Sequence, residues 1–179
     1  MDRAASPSLA ARADDLQQSD IRSVTRRVEE VDGINLGQGV CDLPTPEPIK
    51  ARAHQAIRDD ASIYSHYAGI EPLRRAILEK EQAHNEVPAT SPEDVVVGVG
   101  STGVFVSAAF TLLEDGDEVV LFEPFYGYHR NILELTGATI RYVPLGGPDA
   151  TFDRSAMEAV LTDDTKAVVV NTPANPSCK

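Results

Sequence analysis

The sequence has few cysteines, and the two it contains are Cys41 and Cys178. Their wide separation gives neither the framework of a small disulfide-bonded domain nor the close ligand spacing of a zinc site. Disulfides belong mainly to proteins of oxidising compartments. We therefore expect no metal site in this chain, and we predict a reducing, cytoplasmic location.

Long apolar runs are also missing. No stretch approaches the roughly 20 apolar residues that a membrane-spanning helix needs. Residues 1–18 lack the apolar segment of a signal peptide, and Asp2, Asp14 and Asp15 argue against a transit peptide. The sequence therefore predicts no membrane association and a disordered N-terminal arm at 1–18.

Positive charge is scarce as well. The 16 Lys and Arg residues stand against 28 Asp and Glu residues, which gives a net charge of -12. This balance argues against a nucleic-acid backbone or an anionic membrane surface as partner. It leaves room for a small anionic ligand, because the backbone amides at a helix N-terminus bind anions whatever the overall charge.

What the sequence does contain is a regular alternation of short Val-rich strands and helices. The predicted strands lie at 95–99, 118–122, 139–143 and 166–170. Helices are predicted between them, near 102–113, 126–135 and 153–161. This pattern is typical of an α/β fold with a predominantly parallel sheet and helices on both faces. Ligands of such sheets bind at the carboxyl ends of the strands.

Three further helices are predicted before the first of these strands. Ser19 is a candidate cap for a helix that ends near Gly33. The segment PTPEPI opens a second helix, with Pro48 in its first turn. The third runs from about Glu71 to Ala83, and its apolar positions, Leu73, Ile77 and Leu78, predict a buried face.

The segment GVGSTG at 98–103 joins a predicted strand directly to a helix. The backbone N–H groups of Ser101 and Thr102 would lie at the helix N-terminus, where they carry partial positive charge. With the two hydroxyl groups, they predict a phosphate-binding turn. The alternative is an ordinary glycine-rich turn capped by Ser or Thr.

The same segment also fits a dinucleotide-binding fingerprint through Gly98, Gly100 and Gly103. Such a fold places an acidic residue about 20 positions further on, and Glu123 ends the next predicted strand. Against this hypothesis, about ninety residues precede the segment, whereas the fingerprint normally opens its domain. A dinucleotide-binding α/β module therefore remains the alternative function.

Two further strand ends carry candidate ligand-binding side chains. Tyr126, in EPFYGYH, is placed to stack on a flat heteroaromatic ligand, unless it packs under the sheet. Asn175, in NTPANP, lies between Pro173 and Pro176, which restrict the backbone. Its amide is therefore a candidate donor to a ligand oxygen, unless it closes an Asx turn on its own backbone.

Taken in order, five motifs make this sequence similar to one family. They are NLGQG followed by DLPTP, YSHYAG followed by LRRAI, GSTG, DGDEV followed by EPFY, and NTPANPSCK. Over residues 19–179 the chain resembles the N-terminal half of class I/II pyridoxal-phosphate-dependent aminotransferases of fold type I. Within that superfamily it most resembles the kynurenine, aromatic and aspartate aminotransferase-like branch.

The resemblance implies a role for seven residues. Gly39 would offer its backbone N–H to the substrate carboxylate. Ser101 and Thr102, with Gly100, would bind the phosphate of pyridoxal 5′-phosphate, and Tyr126 would stack on its ring. Asn175 would bind the phenolic oxygen of the cofactor and lie beside the substrate carboxylate. Tyr64 would reach the cofactor phosphate of the partner subunit in a homodimer of the full-length parent.

The resemblance also implies groups that this chain does not supply. Transamination needs a Schiff-base lysine, and none of Lys50, Lys80, Lys166 and Lys179 has a setting that suits one. We therefore expect a fragment of a longer enzyme, inactive alone, that acts on an amino acid and a 2-oxo acid in its parent. The resemblance divides it into the arm at 1–18, an N-terminal segment at 19–68 and the first part of the cofactor-binding large domain at 69–179.

One residue departs from the family pattern in the last motif. Cys178 stands where the family usually has glycine. If the backbone there takes a positive φ, a side chain at this position costs roughly 1 kcal/mol or more.

Overall fold

The computed structural model describes residues 8, 10–13, 16, 20–39 and 41–179. The predicted cap Ser19 and most of the predicted arm at 1–18 lie outside these residues. Backbone contacts divide the chain into two compact units. One unit comprises Met1–Gly37 and Phe105–Lys179, and the other is Gln38–Val104. The sequence-based division, with boundaries after residues 18 and 68, stays a prediction.

The described residues contain six α-helices and four strands. The helices are α1 (Asp20–Glu30), α2 (Glu47–Arg58), α3 (Glu71–Asn85), α4 (Gly100–Leu112), α5 (Gly127–Thr136) and α6 (Arg154–Val160). The strands are β1 (Glu118–Glu123), β2 (Thr139–Gly146), β3 (Thr151–Phe152) and β4 (Thr165–Val169). Short 3-10 turns lie at Ala11–Ala13 and Pro92–Asp94.

The four strands form one sheet in the order β3-β2-β1-β4. β1 pairs in parallel with both β2 and β4, and the short β3 is antiparallel to β2. The predicted α/β architecture with a predominantly parallel sheet is thus observed. The carboxyl ends of β1, β2 and β4 point to the same edge of this sheet.

Burial in β1 shows that the sheet is covered on both faces. Val119, Val120 and Leu121 are consecutive and all are buried. Because successive side chains of a strand point to opposite faces, a continuous buried run requires cover on each side. Val119 belongs to a core cluster with residues of α4 and α5, among them Ala109 and Leu133.

The predicted strand at 95–99 is wrong. Residues 95–98 have no strand assignment, and the four-stranded sheet does not include them. A strand needs a ladder of hydrogen bonds to a neighbour. Here the Val97 N–H donates to the Ala68 carbonyl at 3.0 Å, and the described residues supply no ladder beside it. The apolar run alone could not decide this, because pairing depends on distant parts of the chain.

The second unit contains α2 and α3. Leu78 of α3 is buried and Ile77 is half-buried, but Leu73 is exposed. Arg74 takes a place in the buried face instead, and its guanidinium donates to the Pro92 carbonyl at 3.0 Å. The predicted buried face of α3 is therefore correct in part.

Within the described residues, no helix is long and apolar enough to cross a membrane.

Candidate functional site

A cavity of about 310 Å³ opens in the first unit, beside the carboxyl ends of β1 and β4. Both strands lead directly into segments that line it. Its lining is mainly apolar and aromatic: Leu121, Phe122, Pro124, Phe125, Tyr126, His129, Leu145, Ala150, Phe152, Val169, Val170, Asn171, Thr172, Ala174, Asn175 and Lys179. Pockets of this size and character hold small organic ligands. The cavity brings together two of the predicted site residues, Tyr126 and Asn175.

Tyr126 takes its position from the start of α5. It is the residue before the first turn of that helix, with φ -73° and ψ 115°, so the chain changes direction there. Its half-buried ring contacts two other rings, Tyr128 at 5.2 Å and His129 at 5.3 Å between centroids. Neighbouring rings thus restrain the ring of Tyr126 at the wall of the cavity.

Asn175 lies in a tight turn that closes on itself. The Cys178 N–H donates to the Ala174 carbonyl at 2.6 Å, and the Ala174 N–H donates to the Lys179 carbonyl at 2.8 Å. The Asn175 side chain makes no hydrogen bond to any described residue. Its amide is exposed and available to a ligand, as the sequence-based hypothesis requires.

His129 is a lining residue that the sequence interpretation passed over. It lies in the first turn of α5, between the rings of Phe105 at 4.4 Å and Tyr126 at 5.3 Å. Burial lowers the pKa of His129, because the charged imidazolium is disfavoured away from water. Its position three residues after Tyr126, on the same helical turn, was the available signal.

The lysines differ in their surroundings. Lys50 pairs with Glu47 at 2.8 Å and Lys80 with Glu81 at 2.7 Å, both on exposed surfaces. Lys166 is exposed on β4. Lys179 lines the cavity, with its ammonium 3.9 Å from the carboxylate of Asp149. Of the four lysines, Lys179 is the one beside the cavity.

The remaining predicted site residues belong to the second unit. Gly100 begins α4 with a φ of 68°, and a Cβ added there would meet no atom within 4 Å. Ser101 and Thr102 follow in the first helical turn, whose N–H groups have no partner inside the helix. Gly39 is also open on its Cβ side, and Tyr64 is 92% exposed.

The three glycines of the GVGSTG segment differ in whether the structure requires glycine at their position. A Cβ on Gly98 would lie 2.7 Å from Cγ2 of Val104, so glycine is needed for close packing there. Gly100 needs its positive φ. A Cβ on Gly103 would meet Val99 at 3.6 Å, an ordinary contact. The third position of the dinucleotide fingerprint therefore has no strict need for glycine in this chain.

Comparison with known proteins identifies the family. The family model described as aminotransferase class I and II matches residues 31–179. The chain belongs to this family. A probable N-succinyldiaminopimelate aminotransferase of Mycobacterium tuberculosis is 34% identical over 149 residues, which cover 82% of this chain and 38% of the relative. A probable aspartate/prephenate aminotransferase of Aquifex aeolicus is 33% identical over 176 residues, covering 94% and 44%.

Solved aminotransferase structures share the fold. The M. tuberculosis N-succinyldiaminopimelate aminotransferase matches with a TM-score of 0.85 at 32% identity, covering 94% of this chain and 44% of that one. An Escherichia coli methionine aminotransferase matches with a TM-score of 0.89 at 26% identity, covering 96% and 45%. The predicted α/β fold of the aminotransferase family is confirmed. The chain spans less than half the length of the relatives it matches.

Family membership does not address the dinucleotide alternative directly. Glu123, the acidic residue it requires, is exposed at the end of β1. The alternative stays an untested hypothesis, while the family match supports amino transfer.

Proposed function

We propose that this chain carries cofactor-binding elements of a pyridoxal-phosphate-dependent aminotransferase. The reaction moves an amino group between an amino acid and a 2-oxo acid. The observation that carries the proposal is the cavity at the ends of β1 and β4, where an aromatic wall faces an available amide in a chain of this family. The names of the relatives refer to different compounds, so the proposal extends to the reaction class and not to one substrate.

The residues of the cavity fit the cofactor. A flat pyridine ring needs an aromatic or apolar wall, which Tyr126 and Val169 supply. Its phenolic oxygen needs a donor, which the unpaired Asn175 amide supplies. When bound, pyridoxal phosphate serves as an electron sink for a carbanion at the amino-acid Cα. The chain contributes by binding the ring in one plane and by holding a donor at a fixed oxygen.

The second unit supplies the proposed phosphate and substrate contacts. Ser101 and Thr102, with Gly100, present N–H and hydroxyl donors at the N-terminus of α4, where a phosphate dianion is favoured by the helix dipole. We assign the Gly39 N–H to the substrate carboxylate, and Tyr64 to the cofactor phosphate of a partner subunit. The exposure of the Tyr64 side chain is compatible with a contact outside this chain. A homodimeric, cytoplasmic parent, with no nucleic-acid or membrane partner, completes the proposal.

Titration of the purified chain with pyridoxal 5′-phosphate tests the site. We expect Tyr126→Leu and Asn175→Ala each to weaken binding about fivefold to tenfold, as loss of one stacking contact or one hydrogen bond implies. Phe110→Leu and Asn85→Ala are matched controls, because both residues are exposed and lie outside the cavity lining. Equal affinity of the site variants and the controls would contradict the proposal.

We expect the 179-residue chain alone to show no amino-transfer turnover. None of its lysines is buried, whereas a catalytic amine is activated by burial or by a neighbouring cation. After reduction with borohydride in the presence of pyridoxal phosphate, mass spectrometry should find no lysine labelled stoichiometrically. Full labelling of one lysine, with turnover that is lost when that lysine is replaced by arginine, would show that the chain alone is active. Lys179 provides the most direct test, because it is the lysine that lines the cavity.

A further inference from the structure

His129 lies in the middle of a row of rings in the first unit. Its imidazole stacks at a tilt of 36° against Phe105 of α4, with centroids 4.4 Å apart. On its other side it meets the Tyr126 ring nearly edge-on, at 82° and 5.3 Å. Edge-to-face pairs at this distance are attractive and hold a defined angle between the rings. Phe105 belongs to the partly buried shell of the core, so it gives the row a fixed end.

The imidazole also carries an unsatisfied polar atom. Its Nδ1 is buried and has no hydrogen-bond partner among the described residues. A charged ring in this place would bury a second donor without an acceptor, which is unfavourable. The downward shift of the His129 pKa has the same cause, burial. At neutral pH the side chain therefore acts as an uncharged aromatic ring.

We propose that His129 is a positioning residue that fixes the plane of the Tyr126 ring by edge-on contact, so that Tyr126 forms a preorganised stacking surface for a planar ligand. This inference rests on the proposed function for the identity of that ligand. The positioning itself depends on the contacts from Phe105 through His129 to Tyr126, beside the separate contact of Tyr126 with Tyr128 at 5.2 Å. Preorganisation raises affinity because the ring does not have to be ordered when the ligand binds.

Three substitutions of His129 distinguish the effect of its aromatic ring from the effect of its Nδ1 atom. His129→Leu keeps an apolar side chain of similar size and removes the ring. His129→Phe keeps the ring and removes both nitrogens, and His129→Asn keeps a polar atom near the position of Nδ1 and removes the ring. His54→Leu is the matched control, since this histidine is exposed on α2. Thermal unfolding of each variant identifies any that fails to fold.

The first measurement uses the ligand-free chain. Ring flipping of Tyr126 is followed by NMR with ring-labelled tyrosine, and the signal is assigned through Tyr126→Leu. We expect flipping to be about threefold to tenfold faster in His129→Leu and His129→Asn, as loss of one aromatic pair implies, and close to wild type in His129→Phe. An unchanged rate in His129→Leu overturns the proposal. A wild-type flipping rate in His129→Asn, together with a faster rate in His129→Phe, also overturns the proposal. In that case the polar atom, and not the ring, would restrain Tyr126.

The second measurement adds pyridoxal 5′-phosphate and records the circular dichroism that a held ring induces in the visible band of the cofactor. We expect this signal and the affinity to fall about threefold to tenfold in His129→Leu and to recover largely in His129→Phe. If wild type binds no pyridoxal phosphate, the proposed function fails, and the ligand-free ring-flip rates still decide the role of His129. If wild type binds and His129→Leu gives an undiminished signal, the positioning role is wrong while the proposed function stands.

Discussion

At the scale of single residues, Cys178 is one of the non-glycine residues with a left-handed backbone. Its φ is 58°, in the left-handed region that glycine adopts without cost. The resemblance to the family implies glycine at this position, and the positive φ gives a physical reason for that preference. The strained residue closes the turn that contains Asn175, through its N–H bond to the Ala174 carbonyl.

We predict that Cys178→Gly stabilises the first unit by up to about 1 kcal/mol, since removal of the left-handed strain exceeds the extra entropy of glycine in the unfolded chain. The midpoint of urea unfolding measures this change. Cys178→Ala is the matched control, because alanine also lacks the thiol but keeps the Cβ, so it should give no gain. An equal gain in both variants would mean that the thiol, and not the backbone, was responsible.

At the scale of elements, a buried carboxylate ties three segments together. Glu118 begins β1, and its carboxylate accepts a hydrogen bond from Nε of Arg141 in β2 at 3.0 Å. The Thr162 hydroxyl, in the loop before β4, donates to the same carboxylate at 2.7 Å. Arg141 first, and then Thr162, lowers the pKa of Glu118. Both contacts join neighbours that are distant in sequence.

This arrangement predicts an acid-dependent contribution to stability. The folded-state pKa of Glu118 lies below its unfolded value. Its stabilising effect is therefore fully present above the ordinary carboxyl pKa and is lost as the pH falls through the folded-state value. We expect Glu118→Gln to lower stability at neutral pH and to reduce the acid dependence of thermal unfolding. Glu158→Gln, which removes an exposed pair with Arg154, should leave that dependence almost unchanged. Parallel pH profiles for wild type and Glu118→Gln would contradict the prediction.

At the scale of the whole molecule, β4 is an edge strand of the sheet. Beside it lies a second cavity of about 290 Å³ lined by apolar residues of α4, α5, β1 and β4 and by adjoining residues. Val168, 39% exposed, lies at this edge and lines that cavity. Unpaired apolar edges are sites of self-association.

We predict that the chain associates with itself as its concentration rises and that Val168→Lys reduces this association, because a charge on an edge strand opposes pairing. Light scattering after size exclusion measures the mass against concentration. Val31→Lys is the matched control, since Val31 is 75% exposed and lies just after α1, outside the four strands of the sheet. Equal effects of the two substitutions would show that net charge, rather than the edge, governs association.

The sequence by itself determined the order of the helices, the strands β1, β2 and β4, and the family. These follow from local signals, such as the Val-rich runs at 118–122 and 166–170 and the glycine that ends α5 at Gly137. The position of Tyr126 and Asn175 beside one cavity was also predictable, because residues just after parallel strands share one edge of the sheet. Their roles toward a cofactor stay predictions.

Only the tertiary structure decided the rest. The run at 95–99 has the composition of a strand but finds no ladder, since pairing needs a neighbour that no local pattern specifies. In the sequence, His129 cannot be distinguished from any other polar residue of a helix. Its contact with Phe105 arises only from the packing of α4 on α5. The burial of Arg74 and Glu118 likewise depends on partners 18 and 23 positions away. Composition and periodicity carry no record of such contacts, because they arise only when distant segments pack.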